Sequence, residues 1–180
     1  MTAQQIIEQA LNIMQYGTDQ ADEFFPSFRI YLDFAARDIA SDAQLYTTED
    51  VDLVDGSFNV AILQKTCSRV MRVTQDGREL YTVVGDSFGD IKVQGAKEEP
   101  VRVKYLYVPR PIVELFDKPD VPEQFFPIIA NYIVACHKGN GNPNTQGEAS
   151  LYFQLYQTDK RNLIRFLRGT TESFELKNYL

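Results

Sequence analysis

The chain reads as an α+β protein: a bundle of about four helices, an inserted small antiparallel β-sheet and hairpin region, and a C-terminal arm. Three observations carry that expectation. Apolar residues recur at helical spacing over residues 2–44 and again over 121–168. Between them, over 46–109, apolar and polar residues alternate as in half-buried strands. Strands and helices do not alternate with one another, which rules out a doubly wound parallel sheet. Residues 1–168 are read as one domain and 169–180 as the arm.

The first helix opens on Thr2 and Gln5, the spacing of a capping box, and continues through Ala3, Ile6, Ile7, Ala10, Leu11 and Met14. Gly17 is its expected stop, and Thr18 or Asp19 the expected cap of the second helix. That helix should bury Phe24, Phe28, Leu32, Ala35 and Ile39, with Pro26 confined to its first turns. In the β region, Val51 and Leu53 precede Asp55-Gly56, and Phe58, Val60 and Ile62 follow it. Val70–Thr74 and Leu80–Val84 flank Gln75-Asp76-Gly77-Arg78, and Asp-Gly between two such runs is a strong hairpin signal. Val101, Val103, Tyr105 and Tyr107 form a long strand that Pro109 and Pro111 stop.

Pro122 suits the first position of a third helix, whose apolar face runs through Phe125, Phe126, Ile129, Tyr132, Ile133 and Cys136. Gly139 and Gly141 end it, and Thr145 with Glu148 opens the fourth. The intervening HKGNGNPNTQGEA lacks the Lys-Ser/Thr ending of a phosphate loop and reads as an αα-hairpin connection. The last helix is expected to turn Leu151, Leu155, Leu163, Phe166 and Leu167 inward, with Arg161, Arg165 and Arg168 forming a solvated basic end. Phe-Phe-Pro occurs at both 24–26 and 125–127, too short an echo to establish a repeat.

The net charge of −7 weighs against a protein that grips nucleic acid through a basic face. Cys67 and Cys136 form no C-x-x-C pair, and the N-terminus has no basic segment leading into an apolar run. No stretch approaches the ~18 apolar residues of a membrane span, so a soluble chain made in a reducing cytoplasm is expected.

One motif demands a chemical reading. Gly85-Asp86-Ser87-Phe88-Gly89 fits G-x-S-x-G, and Asp117, Asp120 and His137 follow in the order that nucleophile-elbow hydrolases use. An elbow needs a strand that turns sharply into a helix; here Ile91–Gly95 reads as another short strand. Ser87 is therefore read as part of a glycine turn. Asp50, Asp52 and Asp55 hint at a calcium loop, but their register places Ala61 where the closing Glu belongs. No catalytic, cofactor or metal residue is assigned.

The order of elements resembles the head-to-tail adaptor, or connector, proteins of tailed bacteriophages, nearest to those of short-tailed phages. The resemblance covers the N-terminal helices, the β insertion with its Asp76-Gly77 hairpin, and the return strand. It extends through Asp120-Val121-Pro122-Glu123-Gln124-Phe125 opening a long helix, the Gly/Asn loop, a Tyr- and Arg-rich final helix and the arm. It implies a structural virion protein without enzyme activity or cofactor. It also implies a homo-oligomeric ring, typically of twelve copies, assembled in the host cytoplasm between the portal protein and a tail protein. Double-stranded DNA would pass through the lumen without specific binding, and no membrane is involved. Repeated around a ring, the negative charge would repel DNA phosphates. The alternatives are a small-molecule-binding or catalytic α+β domain, or an assembly chaperone or scaffold of the same particle.

Two segments are candidate partner-binding sites. The hairpin tip Gln75, Asp76, Gly77 and Arg78 is expected to project and to meet a tail protein or a neighbouring subunit. In the arm, Gly169, Thr170 and Thr171 should end the last helix, and Phe174 and Leu176 then alternate with Glu175 and Lys177 as in an added strand. Related adaptors grip the portal with such an arm, which assigns that contact to Phe174, Leu176, Tyr179 and Leu180.

Overall fold

The computed structural model describes residues 1–97, 99–140 and 145–177, with 170–177 described by backbone alone. The described residues form an α+β fold, which divides into two compact units: Met1–Ala43 with Pro111–Leu180, and Gln44–Arg110. The first is helical and the second is β.

The helical unit begins with α1 (Ala3–Ile13), and its capping box forms as the sequence predicts: Gln5 N–H donates to the Thr2 hydroxyl at 3.4 Å and Thr2 N–H to the Gln5 amide oxygen at 3.0 Å. Two more of its orphan donors are satisfied by the 111–121 loop, where Asp117 and Leu115 carbonyls accept from Ala3 and Gln4 at 2.7 and 2.8 Å. The stop comes earlier than Gly17. Gln15 adopts φ 63°, and Tyr16 N–H closes back on the Leu11 carbonyl at 2.9 Å. This is a Schellman closure, for which the chain accepts a left-handed non-glycine residue at about 1–2 kcal/mol. Gly17 stays extended and leads into a 3-10 turn, Thr18–Gln20, so neither Thr18 nor Asp19 caps a helix.

Helix α2 (Ala21–Ala43) buries Phe28, Leu32, Ala35 and Ile39 completely, as expected, while Phe24 of the expected face is half-buried. Pro26 is its sixth residue, deeper than the first turn; it forgoes one backbone bond, and the Ser27 hydroxyl donates to the Phe24 carbonyl at 3.0 Å. Before α3 (Phe126–Gly139), Pro122 opens a 3-10 turn, Glu123–Phe125, and it is Pro127 that occupies the helix start. The Thr145 hydroxyl donates to the Lys138 carbonyl at 2.8 Å, tying the end of α3 to the start of α4 (Gln146–Lys177), while Glu148 pairs with Lys138.

Helix α4 departs most from expectation, in two ways. Its buried residues are Tyr156, Lys160 and Ile164; Leu163 and Leu167 are half-buried, and Leu151, Leu155 and Phe166 are 54%, 41% and 65% exposed. The cause is a polar node: the Lys160 ammonium reaches Asp38 at 2.5 Å and Asp42 at 2.6 Å, and the Tyr156 hydroxyl donates to Asp38. Two carboxylates one turn apart on α2 thus hold two residues one turn apart on α4. Tyr132 and Phe153 pack against the Tyr156 ring at 4.8 and 6.2 Å. The helix also runs through Gly169, Thr170 and Thr171 to Lys177. A helical glycine costs about 1 kcal/mol, which is a weakness and not a stop when no left-handed turn follows. Phe174 and Leu176 are therefore helical, and the added-strand reading is corrected; Tyr179 and Leu180 lie outside the described residues.

The β unit holds two antiparallel sheets. One has the order β1 (Tyr46–Val51), β7 (Val101–Tyr107), β3 (Cys67–Gln75), β4 (Arg78–Glu79); the other has β2 (Ser57–Asn59), β6 (Asp90–Gln94), β5 (Tyr81–Val84). Central β7 supplies the buried Val101, Val103 and Tyr105, which form one core with Val51, Phe58, Leu63, Val73 and Val93. The alternation through Phe58, Val60 and Ile62 does not hold as a strand. After Asn59 the chain enters a 3-10 turn, because the Asn59 side chain accepts the Ala61 N–H at 2.8 Å and caps it. The segment after the Asp-Gly turn is also divided. Only Arg78 and Glu79 pair with β3; after the Leu80 N–H bond to the Val73 carbonyl, Tyr81–Val84 pairs with β6 instead.

Candidate functional site

The Asp76-Gly77 turn is the two-residue primed hairpin that its sequence demands. Asp76 has φ 50° and Gly77 φ 76°, with Gln75 opposite Arg78 and Thr74 opposite Glu79. It is held more tightly than a free projection. Gln75 is buried: its amide oxygen accepts the Lys97 N–H at 2.9 Å, and its NH2 donates to the Glu99 carbonyl at 2.9 Å. The Lys97 ammonium meets the Asp76 carboxylate at 2.7 Å, and this hydrogen bond holds the Asp76 pKa below the usual carboxylate range. Gln75 is thus structural glue for the 95–99 segment, which corrects the expectation of an exposed four-residue tip. Asp76, Gly77 and Arg78 remain exposed. A cleft of about 370 Å³ on one side is lined by Asp50, Thr74, Gln75, Pro100 and Arg102; one of about 400 Å³ on the other is lined by Arg78, Glu79, Leu80, Gly95 and Lys97.

Ser87 lies on the turn between β5 and β6, two paired antiparallel strands. The turn closes through Gly85 N–H to the Asp90 carbonyl at 2.7 Å and Asp90 N–H to the Ser87 carbonyl at 3.1 Å. Both glycines of the motif have steric work here. Gly89 has φ 82°, and a Cβ on Gly85 would come within 2.6 Å of the Asp90 side chain. The turn exposes the apolar Phe88 beside Asp86 and Ser87, with Val84 at 78% and Tyr81 at 70% exposure along the neighbouring edge strand.

His137 lies in the last turn of α3. Its ring stands edge-on to Tyr16, Phe24 and Phe28 at 5.8, 5.7 and 5.3 Å. Burial among these rings pushes its pKa down, and the Lys138 charge adds to the effect. Asp117 accepts the N–H groups of Val113 and Glu114 at 2.9 and 2.8 Å and so fixes its own loop, with its pKa lowered by those bonds. Asp50, from the calcium-like run, is engaged by two of the guanidinium nitrogens of Arg102, Nε and Nη2, at 2.9 and 3.1 Å. Among the described residues no cluster of three or more His, Cys, Asp or Glu could hold a metal, and no helix is long and apolar enough to cross a membrane.

Sequence reasoning missed the surface that α4 presents. Leu151, Leu155 and Phe166 fall on one stripe at helical spacing, opposite the buried Tyr156 and Lys160. The signal was present as Asp38 and Asp42, Tyr156 and Lys160, each pair at i, i+4. Comparison with protein-family models and with curated proteins finds no match.

Proposed function

We propose that the chain is a structural adaptor of a tailed bacteriophage, forming a ring between portal and tail through which duplex DNA passes. The observation that carries this reading is the exposed apolar stripe of α4. A helix that turns a lysine inward and three large apolar side chains outward has a face suited to another chain. The order of elements supports the same reading: a helical pair, a β region with its own core, a second helical pair, and a last helix running on past the domain core.

On this reading the α4 stripe meets a neighbouring copy. The turn carrying Phe88 and the hairpin residues Asp76, Gly77 and Arg78 face the tail. Phe174 and Leu176, on the final turns of α4, contact the portal from a helix, and Tyr179 and Leu180 after them belong to the same contact. The test is assembly. Mixed with its portal protein, the full chain should form a ring, twelvefold in electron micrographs, and a chain truncated after Gly169 should melt unchanged yet fail to be retained. A portal that never recruits the full chain would refute the adaptor reading; a truncated chain that assembles normally would remove the C-terminal segment from the contact.

A further inference from the structure

A second feature of α4 lies to one side of the apolar stripe. Arg161, Arg165 and Arg168 line a cleft of about 280 Å³ together with Asp42, Gln157, Lys160 and Ile164. The floor is built: Lys160 is 97% buried in its salt bridges to Asp38 and Asp42, and Arg168 donates to the Asp42 carbonyl at 3.0 Å, which fixes its guanidinium. Arg161 and Arg165 are exposed and have no carboxylate partner among the described residues. Four cations within nine residues of sequence, against the two carboxylates that hold Lys160, leave a local excess of positive charge on an otherwise acidic chain.

We propose that this cleft is a phosphate site and that its ligand is the backbone of a polynucleotide, contacted without regard to sequence. Guanidinium groups match phosphate oxygens with paired N–H donors. The three arginines are spread over about 10 Å of helix axis, at ~1.5 Å per residue. A row of that length suits successive phosphates, because one strand of a duplex presents a charge about every 3.4 Å. Release of condensed counterions supplies attraction that a chain of net charge −7 otherwise lacks. The site belongs to the free chain and does not depend on ring formation.

The test is the anisotropy of a short labelled DNA duplex titrated with the full chain at several salt concentrations. Wild type should bind weakly at low salt. The double variant Arg161→Gln/Arg165→Gln should bind at least about tenfold more weakly, with a salt dependence shallower by about two charges. Its melting temperature should be unchanged, and Arg29→Gln, exposed on α2, should bind like wild type. Absence of wild-type binding, or equal binding by the double variant, overturns the proposal. Inorganic phosphate and polyglutamate are the competitors. Competition only at millimolar phosphate supports the polynucleotide; displacement by micromolar phosphate would make this a single-phosphate site. Displacement by polyglutamate as effective as unlabelled DNA would make it an acidic-peptide site, and either of these last two results overturns the assignment.

Discussion

Helices α2 and α4 belong to the same unit and are both amphipathic, yet they use their apolar residues in opposite ways. In α2 the expected inward positions Phe28, Leu32, Ala35 and Ile39 are buried and Phe24 is half-buried, while Ile30 and Phe34 lie exposed off that face. In α4 the expected inward positions Leu151, Leu155 and Phe166 are exposed, Leu163 and Leu167 are half-buried, and the inward face carries Tyr156, Lys160 and Ile164. The difference teaches that apolar periodicity identifies a face that wants cover, not what covers it. In α2 the cover is the unit's own core. In α4 the apolar stripe is left open by the described residues, while a salt-bridged lysine lies on the inward face.

The largest effect that can break this comparison is a matched pair of truncations. Leu32→Ala should cost about 2–5 kcal/mol in thermal or denaturant unfolding, the range for a buried leucine. Leu155→Ala, measured at concentrations where the chain is dilute, should cost about 1 kcal/mol or less. Equal costs would mean that the α4 stripe is core after all.

Lys160→Met sharpens the comparison at the inward face of α4. Removing the ammonium leaves Asp38 and Asp42 without their shared partner, but both carboxylates are half-exposed and can rehydrate. The expected loss is about 2 kcal/mol, below the 3–5 kcal/mol of a fully buried pair. A variant as stable as wild type would show that the node adds no net stability over an apolar contact.

The smallest effect is read by pH. His137 packs on Phe24 and Phe28 of α2, and burial holds its folded pKa below the ordinary value of about 6.5. The unfolded chain therefore takes up the proton first. The stability this histidine contributes is complete above about pH 6.5 and is lost as pH falls through its folded pKa. His137→Phe should flatten the dependence of the melting temperature between about pH 7 and pH 5. An unchanged slope would place the titrating group elsewhere.

Much of the fold was legible because local signals agreed with packing. The Thr2–Gln5 box, the Asp76-Gly77 turn and the alternation of Val101, Val103 and Tyr105 each specify a geometry within a few residues, and each forms. What was not legible depended on partners distant in sequence. Gln75 is buried because Lys97 and Glu99 bond its amide. Val60 leaves the extended conformation because its N–H bonds the Gly89 carbonyl and because Asn59, itself held by Asp90, caps a turn. Lys160 goes inward because Asp38 and Asp42 lie more than a hundred residues away in sequence and beside it in space. Of the candidate contact surfaces, the hairpin was found from its turn residues, whereas the α4 stripe was invisible to a rule that sends every leucine inward.

The central claim, that the outer face of α4 is built for association, is tested most directly by sedimentation of the full chain over a range of concentrations. Wild type should associate reversibly as concentration rises. Leu151→Gln/Leu155→Gln should remain monomeric under the same conditions, because burying a leucine contributes about 1.5–3 kcal/mol and losing two weakens association by about 100-fold or more. A wild-type chain that stays monomeric throughout, or a double variant that associates as wild type does, would contradict the account.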